Sequence, residues 1–252
     1  MRAILASFLI VAASASLAAP DTAIYDQAVA HDGRSDKDLK RDARERPAEV
    51  MAFAGFKPGM HVADIFAGGG YYSELISYVV GPSGEVLMVN NVPYEEYAKD
   101  DIKARFATEG RLKNLTRSVV ESCDLQLGKS ALDAAMIIIS YHDLFYADPL
   151  GGWPKIDEAH FLDQIYASLK PGGVFLIVDH AAKAGSGSSV AQQLHRIEED
   201  FAIKDITSHG FVYEGHYDKL RNPDDDRSKI VFDPAIRGKT DRFVHLYRKP
   251  AG

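Results

Sequence analysis

Two polar pairs stand directly behind apolar runs. Tyr141-His142-Asp143 follows Ala134–Ile139, and Asp179-His180 follows Val174–Val178. Imidazole titrates near neutral pH, so His142 and His180 are candidate general bases for a hydroxyl, amine or thiol. Asp143 or Asp179 can orient a histidine or hold a substrate amine. The plainer alternative is that each histidine only hydrogen-bonds the loop behind it. The same four residues offer nitrogen and oxygen donors suited to Zn, Mn or Fe. No close H-x-x-x-H or C-x-x-C spacing accompanies them, so no metal site is expected, and a metal-dependent activity built on His142 and His180 stands as an alternative. His195, beside Arg196, Glu198 and Glu199, reads as a surface residue of a helix.

These residues need elements that bring them together. The chain alternates. Strands are expected at His61–Ala67, Val86–Asn90, Thr116–Glu121, Asp133–Ser140, Val174–Val178, Gly210–Tyr217 and Asp241–Tyr247. Helical spacing marks Tyr71–Val80, Pro93 to about Thr108, Asp157–Leu169 and Val190–Ile206. Pro47 and Gly55 bracket a further short helix. Alternation of this kind implies an α/β, doubly wound, mostly parallel sheet with helices on both faces. Uninterrupted apolar strands agree, because parallel strands are buried on both sides. Ligands of such sheets bind beyond the carboxyl ends of the strands, where both His/Asp pairs fall. Leu220–Thr240 is the one long connection, and Asp224–Asp226 within it reads as a solvated acidic turn. Trp153 reads either as a lid or as a packing anchor. Cys123, a lone cysteine, reads as a small buried residue at the end of a strand.

The segment Val62-Ala63-Asp64-Ile65-Phe66-Ala67-Gly68-Gly69-Gly70 joins a strand to a helix through glycines. Glycines there allow positive φ and close backbone approach to a ligand, and the helix start offers free N–H groups. The segment resembles the first motif of the class I S-adenosylmethionine (SAM)-dependent methyltransferases. Asp64 matches its acidic position, and Gly68 and Gly70 match its second and third glycines. Phe66 stands where the first glycine usually lies. Asp133 before its apolar run, Leu169-Lys170-Pro171-Gly172-Gly173-Val174 and His209-Gly210-Phe211 resemble later motifs, so the likeness covers about Pro47–Lys249. Gly-Gly-Gly-Tyr-Tyr, Tyr141-His142-Asp143 and Asp179-His180 resemble a narrower group of exported bacterial methyltransferases of unassigned substrate.

The resemblance implies a seven-stranded Rossmann-like sheet with a terminal antiparallel strand. It implies SAM as cofactor, held by Asp64, Ala67, Gly68, Gly69, Gly70, Asn90 and Asp124. Asn90 takes the place of the usual carboxylate that grips the ribose. Neutral hydrogen bonds are roughly half as strong as charge-assisted ones, so weakened SAM binding is expected. Asp124 matches a position that often meets the adenine amino group; otherwise it is an exposed loop carboxylate.

Bulk properties narrow the partners. The chain carries 29 Lys and Arg against 36 Asp and Glu, without a basic stripe, so nucleic acid and polybasic membrane binding are not expected. A small molecule is the expected substrate. Arg2, the apolar run Ala3–Leu17 and Ser16-Leu17-Ala18 read as a secretory signal peptide cut after Ala18. The run falls short of the ~20 strongly apolar residues that span a bilayer, so no stable insertion is expected after cleavage. Residues 19–46 read as a polar surface arm with some helix, and 47–250 as the domain. Secretion across the inner membrane to the periplasm is therefore the expected location. The competing function is an exported, non-catalytic ligand-binding protein that retains this fold.

Overall fold

The computed structural model describes residues 22–252; the expected signal segment 1–18 lies outside them. Seven strands form one sheet: β1 His61–Ile65, β2 Glu85–Asn90, β3 Leu115–Val119, β4 Leu132–Ile138, β5 Leu169–His180, β6 Val212–His216 and β7 Arg242–Arg248. Their order is β3-β2-β1-β4-β5-β7-β6. Strands β1 to β5 pair in parallel, and β7 runs antiparallel between β5 and β6. The sheet is therefore the Rossmann-like sheet expected, with its antiparallel strand near the end. The reversal of order falls between β1 and β4. There the two halves diverge and open a crevice at the strands' carboxyl ends.

The helices are α1 Ala23–Val29, α2 Asp36–Glu45, α3 Pro47–Ala54, α4 Tyr71–Val80, α5 Val92–Tyr97, α6 Lys99–Arg105, α7 Glu158–Ser168, α8 Ala191–Leu194 and α9 Glu199–Ser208. Alternate residues of the central strands feed two apolar cores, one on each face. Val62, Met88, Met136 and Leu176 enter one with α3 and α4; Ala63, Ile65, Ile137 and Ile177 enter the other with α7 and α9. Among the described residues no helix is long and apolar enough to cross a membrane.

Three expectations change. The helix expected from Pro93 to Thr108 is two helices that meet at Ala98. The helix expected over Val190–Ile206 is broken, because β5 recruits its middle. The Ile197 N–H donates to the His180 carbonyl (3.0 Å), and the Ala182 N–H donates to the Ile197 carbonyl (2.9 Å). Cys123 is exposed, since β3 stops at Val119 on the sheet edge and leaves it in a loop.

The arm of residues 30–46 is part of the packed body. Helix α2 starts on Ser35, whose side chain accepts from the Asp38 N–H (3.2 Å). Its far end places Glu45, 2% exposed, against the Arg242 guanidinium of β7, with Arg41 (3.2 Å) and Arg44 (3.1 Å) alongside. Removing one partner of a buried ion pair strands the other's charge, at a cost of about 3–5 kcal/mol. Glu45→Ala is accordingly expected to lose about that much unfolding free energy in urea titration. A loss within about 0.5 kcal/mol, as at an ordinary surface site, would contradict an integral arm.

Candidate functional site

A cavity of about 950 Å³ lies over the carboxyl ends of β1, β4 and β5. This is near the upper end of the ~300–1,000 Å³ typical of ligand pockets. Its floor is Phe66–Gly69 and Ile138–Ser140; its walls carry His142, Asp143, His180 and His195; α2 and the loop residues Val231 and Phe232 close over it.

The centre of the site is Asp179, the penultimate residue of β5 and fully buried. Its Oδ2 accepts the His142 backbone N–H (2.7 Å). Its Oδ1 receives the His142 Nδ1 (2.7 Å) and the His180 backbone N–H (2.6 Å). An acceptor-only carboxylate fixes the proton on His142 Nδ1 and leaves Nε2 toward Asp143 Oδ1, at 3.3 Å. Tyr94 Oη donates to the other oxygen of Asp143. Burial opposes a charge on His142, but the Asp143 and Asp179 carboxylates outweigh it and push the imidazole up to about 9. Burial also opposes the charge on Asp143, yet His142, His195 and Tyr94 hold its carboxyl below the usual range. His180 behaves oppositely. Burial first, then the charge of His142 and of Arg242, keeps it well below the usual imidazole range. Its Nδ1 lies 2.7 Å from Thr240 Oγ1, and Nε2 has no hydrogen-bond partner among the described residues.

His142 and His180 therefore separate in role. The two carboxylates around His142 favour its protonated form, whereas burial and the neighbouring cations favour the neutral ring of His180.

The glycine turn is present with an altered first position. Phe66 adopts φ 56°, the left-handed region a glycine would occupy without cost. Its ring stacks on Tyr94 (centroids 4.6 Å) and meets Phe161 (5.1 Å), so packing holds the strained backbone. Ile139 (φ 58°) and His195 (φ 52°) line the same cavity in the same unusual conformation. A Cβ on Gly69 would come within 2.5 Å of Asp101 Cβ, so that glycine is needed for α6 to approach.

The other cofactor candidates face elsewhere. Asn90 is fully buried: its Oδ1 accepts the Gly68 N–H (2.9 Å), and its Nδ2 donates to the Gly68 carbonyl and to Glu95 (both 2.9 Å). Those three bonds brace the turn. Asp64 is buried beneath the turn, accepts the Ser73 hydroxyl (2.6 Å), and is pushed up to about 7 by burial. Asp124 is exposed and accepts the Gln126 N–H (3.3 Å). Neither is on the cavity wall; Ala67, Gly68 and Gly69 are, and Gly70 packs behind them on Met88 and Arg105.

Sequence reasoning missed His195. It is not a surface residue of a helix: the break between α8 and α9 turns it inward, 3.5 Å from Asp143 Oδ1. The break is held by Arg196, fully buried, which donates to the carbonyls of Lys229 (2.9 Å) and Ala181 (3.0 Å) and pairs with Asp225 (2.9 Å). Asp225 is thus buried, not part of a solvated acidic turn. Trp153 packs edge-on to Tyr94 (5.2 Å) and lines the cavity, so it anchors its loop and closes the site. The signal available in sequence was weak: a glycine- and serine-rich stretch just before Val190, whose Gly185 and Gly187 N–H groups bond the Glu198 carboxylate (2.7 and 2.6 Å).

No family model and no curated protein matches the sequence. Solved structures do match in fold. A SAM-dependent methyltransferase from Aquifex aeolicus superposes with a TM-score of 0.58 at 19% identity, covering 84% of this chain and 97% of that one. An arsenic(III) SAM methyltransferase from Chlamydomonas reinhardtii gives 0.55 at 19%, covering 92% and 74%. The [4+2]-cyclase SpnF gives 0.57 at 18%, covering 88% and 86%. At these identities the likeness is one of fold: a SAM-methyltransferase fold that also carries other chemistry.

The charge on His142 can be read directly. In chelator-treated protein at its native pH range, the His142 imidazole is expected to titrate near 9 by NMR, and Asp143→Asn should lower the midpoint. The sign for stability follows. The raised midpoint contributes stability that is fully present below about 6.5 and is lost as pH rises through 9. A midpoint between 6 and 7 would remove the charge assignment.

Proposed function

We propose that the chain is an exported SAM-dependent methyltransferase acting on a small molecule. The observation that carries this reading is the cavity itself. The glycine turn forms its floor at the sheet's switch point, and the volume has room for a nucleoside cofactor and an acceptor together. Export rests on the N-terminal Arg2 and the apolar run behind it.

The residues fit SAM in part. Gly68 and Gly69 give the cofactor bare backbone to lie on. Asn90 is committed to the turn, so the ribose needs another partner. Asp101 lines the cavity beside Gly69 and is the carboxylate assigned to the ribose hydroxyls; Lys37 now holds it (2.5 Å). When bound, SAM supplies an electrophilic methyl group. The protein's share is alignment of the acceptor and removal of its proton. His180 takes that proton on Nε2, with Nδ1–H given to Thr240. Asp179 positions both histidines. Trp153, Tyr146 and Phe232 exclude water from above.

A second reading has one observation in its favour. The commitment of Asn90 leaves β2 without a free group for a ribose, which suits a binding protein that keeps the fold and lacks methyl transfer.

Calorimetric titration of residues 19–252 with SAM and with S-adenosylhomocysteine separates the two. Binding of both is expected, weaker than low micromolar. Asp101→Asn should weaken it by about ten- to a hundred-fold, in line with the ~1.5–3 kcal/mol of a hydrogen bond to a charged group. No binding at millimolar ligand would favour the binding protein. With an acceptor in hand, kcat/KM should stay flat through neutral pH and fall only in acid as His180 protonates. His180→Ala should lower it by about 10²–10⁴-fold.

A further inference from the structure

We infer that His142, Asp143 and His195 form a binding site for one divalent first-row metal ion, with Zn²⁺ as the probe of choice. One donor atom from each of the three lies within 4.8 Å of the others. Two imidazoles converge on a single carboxylate oxygen: His142 Nε2 at 3.3 Å and His195 Nδ1 at 3.5 Å from Asp143 Oδ1. Both spacings exceed the ~2.7–2.9 Å of a charge-assisted hydrogen bond. They match the edge of a tetrahedron around zinc, about 3.4 Å for metal–donor distances of ~2.0–2.2 Å.

The surroundings are those of a built site. Metal-ligating imidazoles commonly have their second nitrogen held, and ligating carboxylates a donor behind them, and here His142 and Asp143 have both. His142 gives Nδ1–H to the buried Asp179 (2.7 Å), which fixes the ring with Nε2 on the Asp143 side, where a metal ion would displace its proton. Tyr94 Oη donates to Asp143 Oδ2, leaving Oδ1 for the ion. His195 is placed by a left-handed residue (φ 52°) at a break in the chain that buried Arg196 clamps. An imidazole on a surface helix would need no such construction. Two nitrogens and one carboxylate oxygen suit Zn²⁺, Fe²⁺ or Mn²⁺. Three protein ligands leave a fourth position of a tetrahedral ion for water or a cavity molecule. His180 is not a ligand in this arrangement, which distinguishes the site from one built on His142 and His180. The inference is about ion binding and holds whether or not the cavity takes SAM.

The test uses the full chain, untagged and stripped with chelator, titrated with Zn²⁺ by calorimetry in the absence of SAM. One ion per chain is expected. Co²⁺ should give the intense visible bands of a four-coordinate site. His195→Asn keeps the left-handed backbone accessible, and Asp143→Asn keeps the side-chain shape. Each should weaken Zn²⁺ about 100-fold or more, and Tyr94→Phe about 10-fold, the range of second-layer changes at metal sites. His209→Ala, which removes only the pair with Asp163 (2.7 Å), should leave binding unchanged. Circular dichroism checks that the variants fold. Absence of stoichiometric Zn²⁺ binding, or equal binding by folded His195→Asn and Asp143→Asn, would overturn the site.

Discussion

A single carboxylate holds the working end of this sheet together. Asp179 is fully buried, and its two oxygens take the backbone of His142, the ring of His142 and the backbone of His180. A buried charge without such partners is strongly disfavoured, so β4 and β5 must end where their N–H groups can reach it. The two strands already lie side by side in register from Ala134↔Val174 to Ile138↔Val178. Asp179 extends that register past the last ladder bond, into the first residues that leave the sheet. The orientation of the His142 ring follows from that extension, while the His180 ring, carried on the same strand end, is held by Thr240.

Other buried charges do comparable work farther out. Arg196 ties the α8–α9 break to Ala181, Asp225 and Lys229. Glu45 ties α2 to β7. Arg105 ties the glycine turn, through the Gly69 carbonyl, to Glu74 and to Asp38 of α2 (2.9 Å). Buried ion pairs are weak evidence of net stability, because desolvation offsets much of their attraction. What they provide is position. Each fixes a segment that contributes to the cavity wall: His195 beside Arg196, Arg41 and Arg44 beside Glu45, and Asp38 with Arg105.

Much of this was legible in the sequence because it is periodic. Helix Tyr71–Val80 follows from its apolar spacing and from Gly81, and the strands follow from apolar runs ended by turns. The cavity's two His/Asp pairs were legible from their place behind such runs. What escaped depends on contacts between distant segments. The break at His195 arises from pairing of Ile197 with β5, which no local pattern records. The place of Asn90 at the end of its strand was legible, but not its three bonds to the turn and Glu95. Polar density made residues 30–46 read as a surface arm, although Lys37, Asp38, Glu45 and Arg46 pair with Asp101, Arg105, Arg242 and Glu49 outside it.

The pairing of Glu45 with Arg242 has a consequence for biosynthesis. A ribosome makes α2 long before it makes β7, the strand that completes the sheet. Until then the Glu45 carboxylate lacks its guanidinium partner on β7, although Asp38 and Asp42 of the same helix can already meet Arg105 and Tyr71. A chain cut short before residue 242 would leave the sheet without the strand between β5 and β6, and Glu45 facing only Arg41 and Arg44 of its own helix.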